Sequence, residues 1–141
     1  MDQLNIPAVF MRGGTSKGLF FKVNDLPISK KKRANIFLNA MGSPDSFGRQ
    51  LNGMGGGVSS VSKAVIVNKS NRNDADLDYT FAQIAIDEPI VDYSTTCGNL
   101  SAAVGPFGID SGLLETNKNL VNIRIFNTNL RQIFHAFIPT N

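Results

Sequence analysis

Apolar residues fall into short runs punctuated by glycine, asparagine and proline, a pattern of strands and turns with two helical exceptions. Ile6 to Arg12 and Gly18 to Val23 read as strands, joined through the turn Gly13-Gly14-Thr15-Ser16-Lys17-Gly18 into a hairpin with a glycine-rich tip. Asn24-Asp25-Leu26-Pro27 turns the chain again. From Ser29, a fair N-cap, to about Met41, the residues Ala34, Phe37, Leu38 and Met41 share one helical face, and Gly42 is placed to stop the helix. Residues 42–60 read as loop. Val61 to Asn68 and Asp78 to Ile86 are further strands, separated by the turn Asn71-Arg72-Asn73-Asp74. Val121 to Asn127 and Ile133 to Ile138 form a closing hairpin around Thr128-Asn129.

The second helix is of another kind. It opens at Cys97-Gly98-Asn99, and Leu100, Ala103, Val104 and Phe107 recur at helical spacing. Ser101, Ala102 and Ala103 keep its other faces slim, which predicts a helix enclosed by protein on all sides. Gly105-Pro106 is expected to break or kink it. Strands outnumber helices and the slim helix needs enclosure. A curved sheet wrapped round a central helix, an α+β fold, meets both conditions.

Composition narrows the class. The chain has 141 residues, 42% hydrophobic and 18% charged, enough for one folded domain with a core. The formal net charge of +3 is concentrated in Lys30-Lys31-Lys32-Arg33, and elsewhere the charges nearly balance, so no nucleic-acid footprint is expected. One cysteine excludes an internal disulfide, and one cysteine with one histidine makes a zinc site improbable. No apolar run reaches the length of a membrane span, and Met1-Asp-Gln-Leu-Asn5 lacks the pattern of a signal peptide. A cytoplasmic location is the expectation.

Four stretches carry candidate chemistry. A cysteine at the first turn of a helix lies beside unpaired N–H groups and the positive end of the helix dipole, which favour the thiolate and can also hold a carboxylate. Cys97 is therefore either an activated thiol or a small buried hydrophobe. Gly53-Met54-Gly55-Gly56-Gly57 either brings backbone amides close to an anion or is a flexible surface loop. It matches neither the phosphate loop of nucleotide-binding enzymes nor the dinucleotide fingerprint. The basic run falls in the first turn of its helix, where it reads as a solvated helix end rather than a phosphate site. His135 reads as a strand histidine with an ordinary partner, and Lys63 lies in an apolar setting between Val61, Ala64 and Val65.

Three polar stretches together resemble one family. Met11-Arg12-Gly13-Gly14-Thr15-Ser16-Lys17-Gly18 comes first. Gly53-Met54-Gly55-Gly56 follows, running on to Ser59-Ser60 and Ser62-Lys63. Cys97-Gly98-Asn99 with Ala102-Ala103-Val104-Gly105-Pro106-Phe107 comes last. In this order they resemble the PrpF family of 2-methylaconitate cis–trans isomerases, which act in the methylcitrate route of propionate breakdown. The resemblance covers the chain from end to end.

The resemblance implies a diaminopimelate-epimerase-like fold: a curved, mostly antiparallel sheet wrapped around a central helix, two such domains enclosing the active site. Family members are far longer, so residues 1–141 are expected to be the N-terminal domain, with the second domain absent and the isolated chain inactive. It further implies Lys63 and Cys97 as the acid–base groups. Arg12, Ser16, Lys17, Ser59, Ser60, Gly98 and Asn99 are the expected holders of the substrate's carboxylates. Lys63 is the natural base, with Cys97 as partner acid or as an orienting group. Val58 stands where members often carry threonine, so one hydroxyl is lost. The implied reaction is proton transfer on an unsaturated di- or tricarboxylate, with no cofactor and no metal. The implied partners are that small molecule, a second copy of the chain through an open cleft face, and a functional link to an aconitase-like dehydratase. Two other readings stay open: an amino-acid epimerase or racemase on the same fold, and a non-catalytic carboxylate-binding accessory module.

Overall fold

The computed structural model describes residues 3–117 and 119–140, so Met1 and Asp2 of the stretch read for a signal lie outside the described residues. The strands are β1 (Val9–Gly13), β2 (Ser16–Lys22), β3 (Lys63–Lys69), β4 (Leu77–Ile84), β5 (Val91–Asp92), β6 (Leu120–Asn127) and β7 (Gln132–Pro139), and the helices are α1 (Lys30–Met41) and α2 (Gly98–Asp110). They form one seven-stranded sheet in the order β1-β2-β3-β4-β6-β7, with β5 paired to β4. Pairings are antiparallel except β2–β3 and β4–β6.

Those two parallel joins account for the helices. Parallel neighbours need a long crossover. α1 and the loop after it lie in the β2-to-β3 crossover, and α2 lies in the connection that leads to β6. Period-two alternation then sorts the sheet into two faces. Phe20, Val65, Val67, Leu77, Tyr79 and Phe81 pack with α2 residues Leu100, Ala103, Val104 and Phe107. Leu19, Phe21, Ala64, Ile66, Ala82 and Ile84 pack with α1 residues Phe37, Leu38 and Met41. The outcome is a curled α+β half-barrel with α2 in its hollow and α1 on its back.

α1 forms as its pattern predicts. Ser29 Oγ accepts from the Lys32 amide at 3.3 Å, and Gly42 takes the left-handed conformation, φ 83°, that ends the helix. α2 departs from expectation in two respects. It runs through Gly105-Pro106 to Asp110. Proline cannot bond the Ala102 carbonyl; Ala102 is exposed and Pro106 half-buried, so the missing bond falls on the open flank of the helix. The same flank shows that α2 is not enclosed on all sides: Gly98, Asn99, Ala102 and Asp110 are exposed. Smaller differences follow from local bonding. Ser59–Val61 is a 3-10 turn, so β3 begins at Lys63. The Ala85 amide bonds the Ile90 carbonyl at 3.0 Å, which ends β4 early and adds the short β5.

Candidate functional site

Cys97 is the N-cap of α2, and the structure brings three elements onto its sulfur. The Leu100 amide donates to Sγ at 3.4 Å, Lys63 Nζ from the first residue of β3 lies 3.4 Å away, and Ser16 Oγ from the first residue of β2 lies 3.7 Å away. All three side chains are buried, Cys97 to 5% exposure, Lys63 to 9% and Ser16 to 2%. Lys63 Nζ also sits 5.3 Å from the centre of the Phe81 ring, where a cation is favoured. Burial pushes the Cys97 thiol up. The Leu100 amide, the Ser16 hydroxyl and the charge and hydrogen bond of Lys63 outweigh it, and the net direction is down from the ordinary value of 9.0. Of the two open readings of Cys97, the activated thiol fits this setting.

The rest of the mouth is open. Gly98 and Asn99 are exposed, a Cβ on Gly98 would meet open space, and the Gly98 and Asn99 amides engage no acceptor among the described residues. These are the orphan donors at the positive end of a helix. The hairpin tip closes one side. The Thr15 amide reaches Asn99 Oδ1 at 3.5 Å, and a Cβ on Gly14, at φ +52°, would fall 2.2 Å from the same oxygen. At Gly18 a Cβ would lie 2.7 Å from the Lys63 carbonyl, so glycine there lets β2 lie close against β3 beneath the site.

The expected carboxylate holders are not all gathered here. Ser16, Gly98 and Asn99 join Lys63 and Cys97 in one cluster. Lys17 is exposed, and alternation along β2 sends it to the face opposite Ser16; Arg12, its register partner, shares that side and donates from Nε to the Gly14 carbonyl at 2.9 Å. Ser59 is exposed and Ser60 half-buried on the turn that enters β3. Gln83, directly across the ladder from Lys63, anchors that turn by donating to the Ser59 and Ser62 carbonyls, each at 3.0 Å.

The glycine-rich loop is neither an anion cradle nor a loose tether. Its five amides are engaged internally: Gly53 with the Gln50 carbonyl, Met54 with Ala40, Gly55 with Met41, Gly56 with Val61 and Gly57 with Gln50 Oε1. Gln50, buried to 1%, is the hub, donating from Nε2 to Ser43 Oγ at 2.9 Å and to Ser62 Oγ at 2.7 Å. The glycines make room for it: a Cβ on Gly55 would fall 2.2 Å from Gln50 Oε1.

The basic run is a solvated helix end. Arg33 Nε bonds the Pro27 carbonyl at 2.6 Å and Lys30 Nζ lies 5.9 Å over the Tyr93 ring. His135 is exposed with Nδ1 3.1 Å from Asn122 Oδ1.

Sequence reasoning missed Tyr79. Its buried phenol donates to the Cys97 carbonyl at 3.0 Å. Burial first, then the neighbouring Cys97 charge, pushes that phenol above the ordinary tyrosine range, so it remains a donor. Asn127 and Asn129 from the β6–β7 turn hold the segment leading into Cys97, through Thr96 Oγ1 at 2.7 Å and the Tyr93 carbonyl at 2.9 Å. Alternation places Tyr79 in the core but gives no partner for its hydroxyl. The Asn-Thr-Asn turn is legible only as a turn.

No group of three or more metal-ligating side chains occurs among the described residues, and no helix is long and apolar enough to cross a membrane. The fold and the site define a class: α+β half-barrel proteins that present a thiol and an amine together at the open N-terminus of the inner helix. Comparison with known proteins supplies the family. The PrpF protein family matches residues 3–141, and the chain belongs to it. It is 45% identical over 147 residues to a 2-methyl-aconitate isomerase of Cupriavidus necator, covering 99% of this chain and 37% of that protein. It is 47% identical over 140 residues to a 4-oxalomesaconate tautomerase of Pseudomonas putida, covering 99% of this chain and 38% of that protein. The crystal structure of a methylitaconate-delta-isomerase superposes with a TM-score of 0.94 at 43% identity, covering all of this chain and 36% of the other. The diaminopimelate-epimerase-like fold expected from the resemblance agrees with that superposition. The chain thus spans rather more than a third of the length of the relatives it matches.

Proposed function

We propose that this chain provides the acid–base centre of a cofactor-independent isomerase that moves a proton on an unsaturated di- or tricarboxylate. Interconversion of the cis and trans forms of 2-methylaconitate, in the methylcitrate route of propionate breakdown, is the specific reaction proposed. The single observation that carries it is the contact of Lys63 Nζ with Cys97 Sγ at 3.4 Å beside the free Gly98 and Asn99 amides. Relatives named as isomerases of 2-methyl-aconitate, oxalomesaconate and methylitaconate support it.

In this reading one substrate carboxylate sits on the Gly98 and Asn99 amides, at the positive end of α2. That places the carbon next to it over the Cys97–Lys63 pair. The lowered thiol favours Cys97 as the base and the Lys63 ammonium as the acid, the reverse of the order expected from sequence alone. The thiolate removes a proton made acidic by the neighbouring carboxylate. The charge spreads into a dienolate held by the amides and by Lys63, and a proton returns at another carbon. Remaining carboxylates are held by the Ser59 and Ser60 hydroxyls, while Arg12 and Lys17, on the face of the hairpin opposite Ser16, take no part. A second domain, within the further length that the relatives span, completes the enclosure, and an aconitase-like dehydratase, whose reaction forms a carbon–carbon double bond of this kind, is the functional neighbour. The site acts as a cytoplasmic centre with no metal.

An amide NMR titration of the chain with trans-aconitate tests the binding half. Shifts centred on Gly98 and Asn99, abolished by Gly98→Ala with the fold intact, are expected, because the added Cβ enters the open space above the helix end. A dispersed spectrum that ligand leaves unmoved sinks the reading. Catalysis is separated from mere binding in a protein of the relatives' length carrying this sequence. There Lys63→Ala should reduce kcat by orders of magnitude at little cost in affinity. Full turnover in that variant would remove Lys63 from the acid–base pair, and an unsubstituted protein with no turnover to lose would leave only a carboxylate-binding module.

A further inference from the structure

The geometry points to Cys97 and Lys63 as a site of oxidative cross-linking, in which hydrogen peroxide joins Sγ to Nζ as a sulfenamide. Three observations carry it. The thiol is held toward the thiolate, the form that peroxide oxidises, by the Leu100 amide, Ser16 and Lys63. Cys97 is the only cysteine in the sequence, so the sulfenic acid formed has no resolving thiol within the chain. Lys63, nine-tenths buried, aims its amine at the sulfur from 3.4 Å and has no other hydrogen-bond acceptor among the described residues. Access is short: Gly98, the next residue, is exposed and faces open space.

The chemistry balances with one equivalent of oxidant. The Cys97 thiolate attacks peroxide, an S–O bond forms, the O–O bond breaks, and hydroxide leaves; sulfur is oxidised and peroxide oxygen reduced. The Lys63 ammonium gives a proton to that hydroxide. The resulting amine attacks the sulfenic sulfur, an S–N bond forms, and the S–O bond breaks with loss of water. Overall a thiol, an amine and one peroxide become a sulfenamide and two waters. Thiol reductants reverse the link by attack at sulfur. The bond ties the start of β3 to the N-cap of α2 and removes both groups that the isomerase reading uses, so oxidation would switch the site off reversibly.

The test is mass spectrometry of the whole chain treated with hydrogen peroxide, which needs no turnover and so succeeds or fails independently of the isomerase reading. The expected product is lighter by two hydrogens, returns to the starting mass with dithiothreitol, and yields a linked peptide pair containing Lys63 and Cys97 on digestion. Lys63→Arg keeps the positive charge beside the sulfur but lacks a nucleophilic amine. It should instead gain one oxygen and become trappable by dimedone. The proposal is overturned if the unmodified sequence gives only oxygen-heavier forms or a disulfide between two copies, or if Lys63→Arg shows the same loss of two hydrogens.

Discussion

Tyr79 shows how much of the site's behaviour rests on a residue that never meets solvent. The Cys97 carbonyl accepts both the Ser101 amide, at 3.3 Å, and the Tyr79 phenol, at 3.0 Å. The second bond fixes the orientation of the N-cap peptide, and with it the point at which Sγ meets its three partners. Tyr79→Phe should cost about 1 kcal/mol of stability, the ordinary worth of one hydrogen bond. It should also shift the pH midpoint of thiol alkylation upward, and an unchanged alkylation profile would reduce Tyr79 to a packing residue. The sign for stability follows from the same group. The folded thiol titrates below its ordinary 9.0, so its contribution is complete above that value and is lost as pH falls through the lowered folded value. A series of melting temperatures against pH should show that slope in the natural sequence and lose it in Cys97→Ser.

Among the elements, the closing hairpin is lightly attached for its length. β3 and β4 pair along seven positions, Lys63 to Lys69, whereas β4 and β6 pair along three, Leu77 to Tyr79. Asp76 strengthens the short join. It accepts the Arg124 amide at 2.8 Å and pairs with Arg124 Nη2 at 3.0 Å. Hydrogen bonding to Arg124, the largest effect, holds the Asp76 carboxyl below its usual 3.8 against partial burial. A depressed carboxyl stabilises above 3.8 and loses that contribution as pH falls through the folded value. Hydrogen exchange of β6 amides should therefore quicken in acid before that of β3, and Asp76→Asn should show the faster β6 exchange already at neutral pH. Equal exchange of β3 and β6 throughout would mean the carboxylate does not govern the join. Because Asn127 and Asn129 reach from this hairpin to Thr96 and Tyr93, its loosening also reaches the approach to Cys97.

Across the whole molecule, one sheet serves two cores. Leu77 is fully buried on the α2 side and Phe37 is buried to 1% on the α1 side. Leu77→Ala should cost about 3 kcal/mol and Phe37→Ala about 4 kcal/mol. Because the strands are shared, each variant should unfold in one transition seen alike by near- and far-ultraviolet circular dichroism. Separate transitions would show that α1 and its loop unfold by themselves. The sequence by itself determined the elements. Helical spacing and the Ser29 and Gly42 caps placed α1, period-two runs placed most of the strands, and long polar motifs pointed to the family. These signals are local, or are read along one stretch of chain. Only the tertiary structure decided what the polar residues do. Strand alternation separated Lys17 from Ser16, the bonding around Gln50 engaged every amide of the glycine-rich loop, and the open flank of α2 let its helix pass through Pro106. The reason is physical. A hydrogen-bond partner or a neighbouring charge lies tens of residues away in sequence, so no local pattern encodes it. Cys97 meets Lys63 across a sequence separation of 34 and Ser16 across 81, because β2, β3 and α2 converge at one corner of the sheet.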